Sequence, residues 1–285
     1  TTYKGIKEQN AKITYNAYVG LKTLFHRYPM MKGAEFVKLR QLAGKFTQNG
    51  EDEDDTVDTD WQGLMFKNSY VTSHDLGVSG GTATSNYNFG VSYYLDNSLL
   101  PQQNYNRYAL RASLDQEVGK YIKIGFSSNS SYAVTNGANL DMYNTLSTTP
   151  IANPYNTDGT LKRTVKMSND EHYVMTRSVI NGLGDAYKDQ TRAFGTYNSL
   201  YAEVKVPHVE GLKYRINVGL NYRQSNYGNY TGTGVFSSTA TTLSHATVSN
   251  AHTLNWAVEH MLTYDRTFGK HSINAVALYS AEQTQ

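Results

Sequence analysis

From Lys12 to Lys22 the chain alternates without a break. Ile13, Tyr15, Ala17, Val19 and Leu21 fall on one face of an extended segment, Thr14, Asn16 and Gly20 on the other. Ser85 to Leu95 repeats the pattern, with Tyr87, Phe89, Val91, Tyr93 and Leu95 opposite Asn86, Asn88, Gly90 and Ser92. Leu212 to Arg223 carries it furthest: Leu212, Tyr214, Ile216, Val218, Leu220 and Tyr222 alternate with Lys213, Arg215, Asn217, Gly219, Asn221 and Arg223. A period of two is the signature of a strand with one apolar face. Weaker runs at Tyr70 to Ser79, Tyr105 to Val118, Tyr121 to Ala133, Ala193 to Val206, His252 to Thr267 and Ser272 to Ser280 bring the expectation to about nine strands. In the last run Val276 and Leu278 compete with Ile273, Ala275 and Ala277 for the apolar face, and a slip of one residue exchanges the faces.

The connections alternate in length. Long segments at Thr23 to Ser69, Val134 to Arg192 and Gln224 to Ala251, with a medium one at Asp96 to Asn104, take turns with short ones. The short ones lie around Gly80 and Gly81, at Gly119 and Lys120, at Pro207 to Gly211, and at Gly269 and Lys270. Loops sorted by end in this way mark a membrane barrel with short periplasmic turns and long outer loops. Tyr214 and Tyr222, eight residues apart on a tilted strand, lie about 20 Å apart along the membrane normal, within a ~25 Å apolar band bordered by aromatic girdles.

Composition agrees with an all-β chain. There are 24 Tyr and 23 Gly against 5 Pro, and no Cys, which removes disulfide scaffolds, thiol catalysis and cysteine zinc sites. The net charge of +2 comes from interspersed signs, with no basic stripe for a nucleic-acid backbone. No apolar run is long enough for a spanning helix, but the alternating strands of a barrel escape that test. The opening residues show no export leader, so the sequence is expected to be the later part of a longer chain.

Several segments, in order, resemble the SusC/RagA family of TonB-dependent outer-membrane importers. Thr1-Thr2-Tyr3-Lys4-Gly5 is similar to the end of that family's plug domain. Asp60-Trp61 with Phe66 resembles its DW....F element, and Leu76 to Gly81 its LSVSGG turn. Arg107 to Asp115 resembles an RYSLRANLD strand, Tyr121 to Gly125 a WLKIG strand, and Pro150, Pro154, Tyr155, Asn156, Asp158 and Gly159 a P...PxYNxDG loop. Gly211 to Arg215 and Gly269 to Asn274 are similar to later strand entries. Gly77 and Tyr121 depart from the usual residues, and the acidic run Glu51 to Asp55 is not a family hallmark. The resemblance implies an antiparallel transmembrane β-barrel of about 22 strands with a plugged lumen. This chain would supply residues 1–8 as the end of the plug and 9–285 as the N-terminal portion of the barrel. Nine strands cannot close such a barrel, so the remaining strands and nearly all of the plug are expected outside the sequence.

What the resemblance further implies is energised import at the bacterial outer membrane. The cargo would be an oligosaccharide or a peptide. A SusD-like lipoprotein would close over the outer loops, and TonB would act through the missing N-terminal region. The bilayer is then a partner, nucleic acid is not, and neither cofactor nor enzymatic chemistry is expected. The residues themselves offer little for catalysis. Eight His lack metal-enzyme spacing; Glu171-His172 reads as loop; Gly232-Thr233-Gly234 opens no helix after a strand. The run Glu51 to Asp55 with Asp58 and Asp60 lacks the spacing of a calcium loop and reads as a solvated outer loop. Two other hypotheses are a soluble or surface-displayed all-β binding module, and a barrel hydrolase. The inward faces of two adjacent strands carry the candidate cargo contacts: Tyr197 and Tyr201 on one, Lys213, Arg215, Asn217, Asn221 and Arg223 on the other. Tyrosine rings offer stacking surfaces, and amides and guanidinium groups bond hydroxyls or peptide groups.

Overall fold

Period-two alternation produces one continuous meander. A computed structural model describes residues 7–44, 48–137 and 142–285; the plug-like Thr1 to Gly5 motif lies outside them. Nine strands pair antiparallel in chain order: β1 (Lys12–Lys22), β2 (Ser69–Gly81), β3 (Ser85–Asn97), β4 (Asn104–Val118), β5 (Ile122–Asn136), β8 (Tyr187–Lys205), β9 (Leu212–Thr231), β10 (His245–Phe268) and β11 (His271–Thr284). Between β5 and β8 a separate hairpin forms from β6 (Thr164–Lys166) and β7 (Glu171–Tyr173), so Glu171-His172 is strand rather than loop. The Leu76 to Gly81 motif, read as a turn, is the end of β2. The largest difference is at β9 and β10, which stay paired from Gln224↔His252 to Thr231↔His245, so the expected Gln224 to Ala251 loop shrinks to 232–244. Polar residues occur on both faces of that extension, which leaves no alternation to read.

The register carries every alternating set to the same side. One row of facing residues runs Tyr87↔Leu114↔Phe126↔Leu200↔Val218↔Val258 across six strands. None of the described residues covers this face: Val91, Leu110, Leu200 and Leu220, all on interior strands, remain 48%, 49%, 52% and 45% exposed. On β11, Ile273, Ala275, Ala277 and Tyr279 join the apolar side through Tyr279↔His260 and Ala277↔Leu262, and Val276 and Leu278 turn to the polar side. Two histidines sit on the apolar face, each tied to a tyrosine hydroxyl. Tyr15 Oη lies 2.7 Å from His74 Nδ1, and Tyr214 Oη 2.6 Å from His260 Nδ1. Such pairing lowers the cost of exposing a polar ring to hydrocarbon. His74 also joins a row of rings, His74↔Tyr93↔Tyr108↔Tyr132↔Phe194, amphipathic side chains of the kind that border a bilayer.

All short turns (82–84, 119–121, 206–211 and 269–270) lie at one end of the sheet, and 23–68, 98–103, 137–186 and 232–244 lie at the other. The two longest of these connections fold together rather than spreading into solvent. They contribute α1 (Gly33–Leu42), α2 (Trp61–Met65), α3 (Tyr143–Ser147) and α4 (Arg177–Gly182). Met65, Tyr173, Met175 and Ile180 form one buried cluster, with Leu100 and Phe236 of the other two connections packed on it; Trp61, Ala152, Val165 and Val174 form a second. Burial pushes the Tyr173 phenol up from its ordinary range. Asp60 caps α2 by accepting from Gly63 N at 2.8 Å, and the Trp61 indole donates to Thr149 O at 2.9 Å. Arg163 donates to Ser237 O and Ser238 O, and Gln102 to Ile180 O, so all four connections are fastened into one cap.

The acidic run is not the solvated loop expected of it. It threads between the two long connections. Asp52 pairs with Lys162 and accepts from Lys166 N at 2.7 Å. The Glu53 side chain, 2% exposed, pairs with Arg40 at 3.4 Å and accepts from Gly50 N and Ser168 N at 2.8 and 3.0 Å. Gly50 lies so close to Met167 that an added Cβ would meet its carbonyl carbon at 2.3 Å. Glu51 bonds Lys166 and holds that ammonium above its usual range. Only the far end is loop-like. Asp54, held below the usual carboxylate range by Thr56, closes an exposed turn.

Candidate functional site

The seven candidate residues share the polar face of β8 and β9. Their register sets Gly195 opposite Arg223, Tyr197 opposite Asn221, Tyr201 opposite Asn217, Glu203 opposite Arg215 and Lys205 opposite Lys213. Leu200, Val218 and Leu220 point to the other side. Alternation alone fixed this assignment, and the pairing brings the residues together in two groups.

The group nearer the short turns is a closed wall. Tyr201, 8% exposed, donates its hydroxyl to Asp115 on β4 at 2.7 Å. Its ring crosses β5 at Gly125, where an added Cβ would lie 2.0 Å from Tyr201 Cε1. The Arg215 guanidinium stacks over that ring at 3.9 Å and faces Glu203 at 3.7 Å. Arg215 Nε donates to Asn217 Oδ1 at 2.8 Å, and Asn217 Nδ2 donates to Glu259 of β10 at 3.2 Å. Five strands are thereby linked on one face. Asp115, Gly125 and Glu259 were not among the sequence candidates; they emerge only from the cross-strand register.

The group nearer the cap is open. Tyr197 is 46% exposed and stands between two hollows. One, of about 270 Å³, is lined by Ser127, Asn129, Ser199 and Asn221; the other, of about 430 Å³, has Arg223 on its wall. A half-exposed ring beside amide and hydroxyl groups suits hydrated sugar rings or peptide units.

The cap holds a triple that superficially resembles a nucleophile, base and acid. Thr148 Oγ1 lies 3.2 Å from His172 Nδ1, and His172 Nε2 lies 2.9 Å from Asp170. However, Oγ1 donates to Asn144 O at 2.5 Å, so toward His172 it can only accept. That polarity is the reverse of an activated nucleophile.

Known proteins place this geometry. Over its whole length the chain is 22% identical to TonB-dependent receptor P3 of Formosa agariphila, and it spans 28% of that protein. A stretch covering 40% of the chain is 28% identical to TonB-dependent receptor SusC of Bacteroides thetaiotaomicron, of which it spans 11%. Solved structures of the RagAB peptide importer in closed-closed and open-open states superpose over 99% of the chain, with TM-scores of 0.77 and 0.76 at 16% identity. The chain has the fold of a SusC/RagA-type barrel. It covers 37% and 36% of the matched chains in those structures, and β1 and β11 are the outer strands of its nine-stranded sheet. No protein-family model matches the chain.

Proposed function

We propose that the chain forms the N-terminal wall and outer cap of a TonB-dependent importer in the bacterial outer membrane. In this reading residues 1–8 end the plug and 9–285 begin the barrel. The cargo is an oligosaccharide or a peptide, a SusD-like lipoprotein closes over the cap, and TonB acts through a plug that the rest of the protein supplies. The end-to-end match to the importer barrel carries the reading. Supporting it, an apolar face left uncovered across interior strands suits lipid, whereas a water-soluble binding module would bury it. The likeness to TonB-dependent receptors and to a peptide importer supports transport of the cargo unchanged.

The test uses the full-length gene. Its deletion should abolish growth on particular oligosaccharides or peptides while sparing their monomers, and the full-length protein should stay in carbonate-washed outer membranes. Growth of the deletion strain on every oligomer tried, or release of the protein by carbonate, would overturn the proposal.

A further inference from the structure

The open half of the wall contains a cation without a counter-charge. Arginines elsewhere on the strands have partners: Arg215 faces Glu203, Arg111 lies 3.7 Å from Asp75, Arg192 bonds Gln190, Arg266 pairs with Glu210 and Arg107 lies over Tyr94. Among the described residues Arg223 has neither a hydrogen bond, an ion pair nor a ring contact. The hollow it borders is free of acidic residues. Its floor is made of small side chains, including Ser131, Ala193 and Gly195. An added Cβ at Gly195 would meet Tyr197, Ser131 and the Arg223 stem at 3.8 to 4.0 Å, which is ordinary contact. Arg223 therefore lines an indentation of about 430 Å³, with Tyr105, Tyr197 and His252 also on its walls.

We propose that Arg223 is a carboxylate subsite for cargo. Its planar fork of donors would take a carboxylate in a two-point contact, while the tyrosines stack on the adjoining sugar ring or peptide unit. This rests on the importer reading above and narrows it to acidic oligomers, either uronic-acid oligosaccharides or peptides rich in Asp and Glu.

The experiment measures uptake by cells producing the full-length importer. Fluorescently labelled oligouronate, its neutral oligohexose counterpart, a Glu-containing peptide and its Gln counterpart serve as probes. Arg223→Gln should lower uptake of an acidic probe roughly tenfold relative to its neutral counterpart, and Arg223→Lys should restore part of the loss. Gly195→Leu should fill the hollow and give the same selectivity change with Arg223 intact. The probe pair that responds identifies sugar or peptide. Equal loss for acidic and neutral probes, or no loss, would refute the subsite while leaving import established; uptake of none of the four by the wild type, despite normal levels in the outer membrane, would count against both proposals.

Discussion

Gly125 offers the sharpest test of the wall. In Gly125→Ala the new methyl would fall 2.0 Å from Tyr201 Cε1 and 2.5 Å from Asp115 Oδ1, so the ring must leave its slot. The bond from Tyr201 to Asp115 is lost, worth roughly 1.5 to 3 kcal/mol for a hydrogen bond to a charged group. The Arg215 stack goes with it, at about 0.5 to 1 kcal/mol for an accessible cation–π contact. Adding these gives a cost of about 2 to 4 kcal/mol. Tyr201→Ala already forfeits both contacts, so adding Gly125→Ala to it should cost little, and the double-mutant cycle should return a coupling of similar size. Gly228→Ala, on β9 where an added Cβ meets nothing within 4 Å, serves as the neutral control. The assay is the urea midpoint of heat-modifiable gel migration for the full-length barrel in detergent. Additive losses in the cycle, or equal effects at Gly125 and Gly228, would show that the ring does not occupy this slot.

Other outcomes follow from the same geometry. Val218→Arg, on the uncovered apolar face, should impair assembly by roughly 2 to 4 kcal/mol near the bilayer midplane, whereas Asn217→Arg, opposite Glu259 on the polar face, should assemble; equal yields of folded protein in outer-membrane fractions would contradict the facing. Glu53→Gln should break the buried ion pair with Arg40, at about 3 kcal/mol. Hydrogen exchange should then rise in 48–58 and 162–175 while strand amides stay protected; unchanged exchange in those segments would remove the acidic run from the cap's support. Trp61→Ala should cost about 3 kcal/mol through cavity formation and raise exchange across both cap clusters with barrel migration on gels unaltered; a change in barrel migration would show that cap and barrel fold as one unit.

The strands were legible because one physical demand, an apolar face toward lipid and a polar one toward the lumen, repeats every second residue. β1 is read residue for residue, and the short turns at Gly119 and Gly269 announce themselves. Reading failed where that demand stops. The upper parts of β9 and β10 carry polar residues on both faces, so Tyr227, Asn229, Thr247 and Ser249 carry no facing signal. The last strand stayed ambiguous because Val276 and Leu278 are apolar on the polar face, and pairing with β10, not composition, decides the register. In the cap, Trp61 and the Pro150 to Gly159 element drew notice through resemblance, yet nothing local says that Glu53 will meet Ser168. Contacts that distant in sequence are set by the fold that carries them.

The two halves of the polar wall divide the work between them. Near the short turns, the Tyr201 network ties Asp115, Glu203, Arg215 and Glu259 across β4, β5, β8, β9 and β10 into one fixed surface. A group held that tightly has little left to offer a passing ligand, because freeing Tyr201 or Arg215 would break its bond to Asp115 or its contact with Glu203. Near the cap the wall opens: Tyr197 is half-exposed, Asn221 borders a hollow and Arg223 has no counter-charge among the described residues. In the proposed importer, cargo contacts would lie on the half of the wall nearer the cap. Of the seven lumen-facing candidates, Tyr197, Asn221 and Arg223 are the ones expected to change uptake when replaced, and Tyr201, Arg215 and Asn217 the ones expected to change stability. Uptake and urea midpoints measured on all six single variants would separate the groups, and a Tyr201→Phe variant that lost uptake with an unchanged midpoint would break the division.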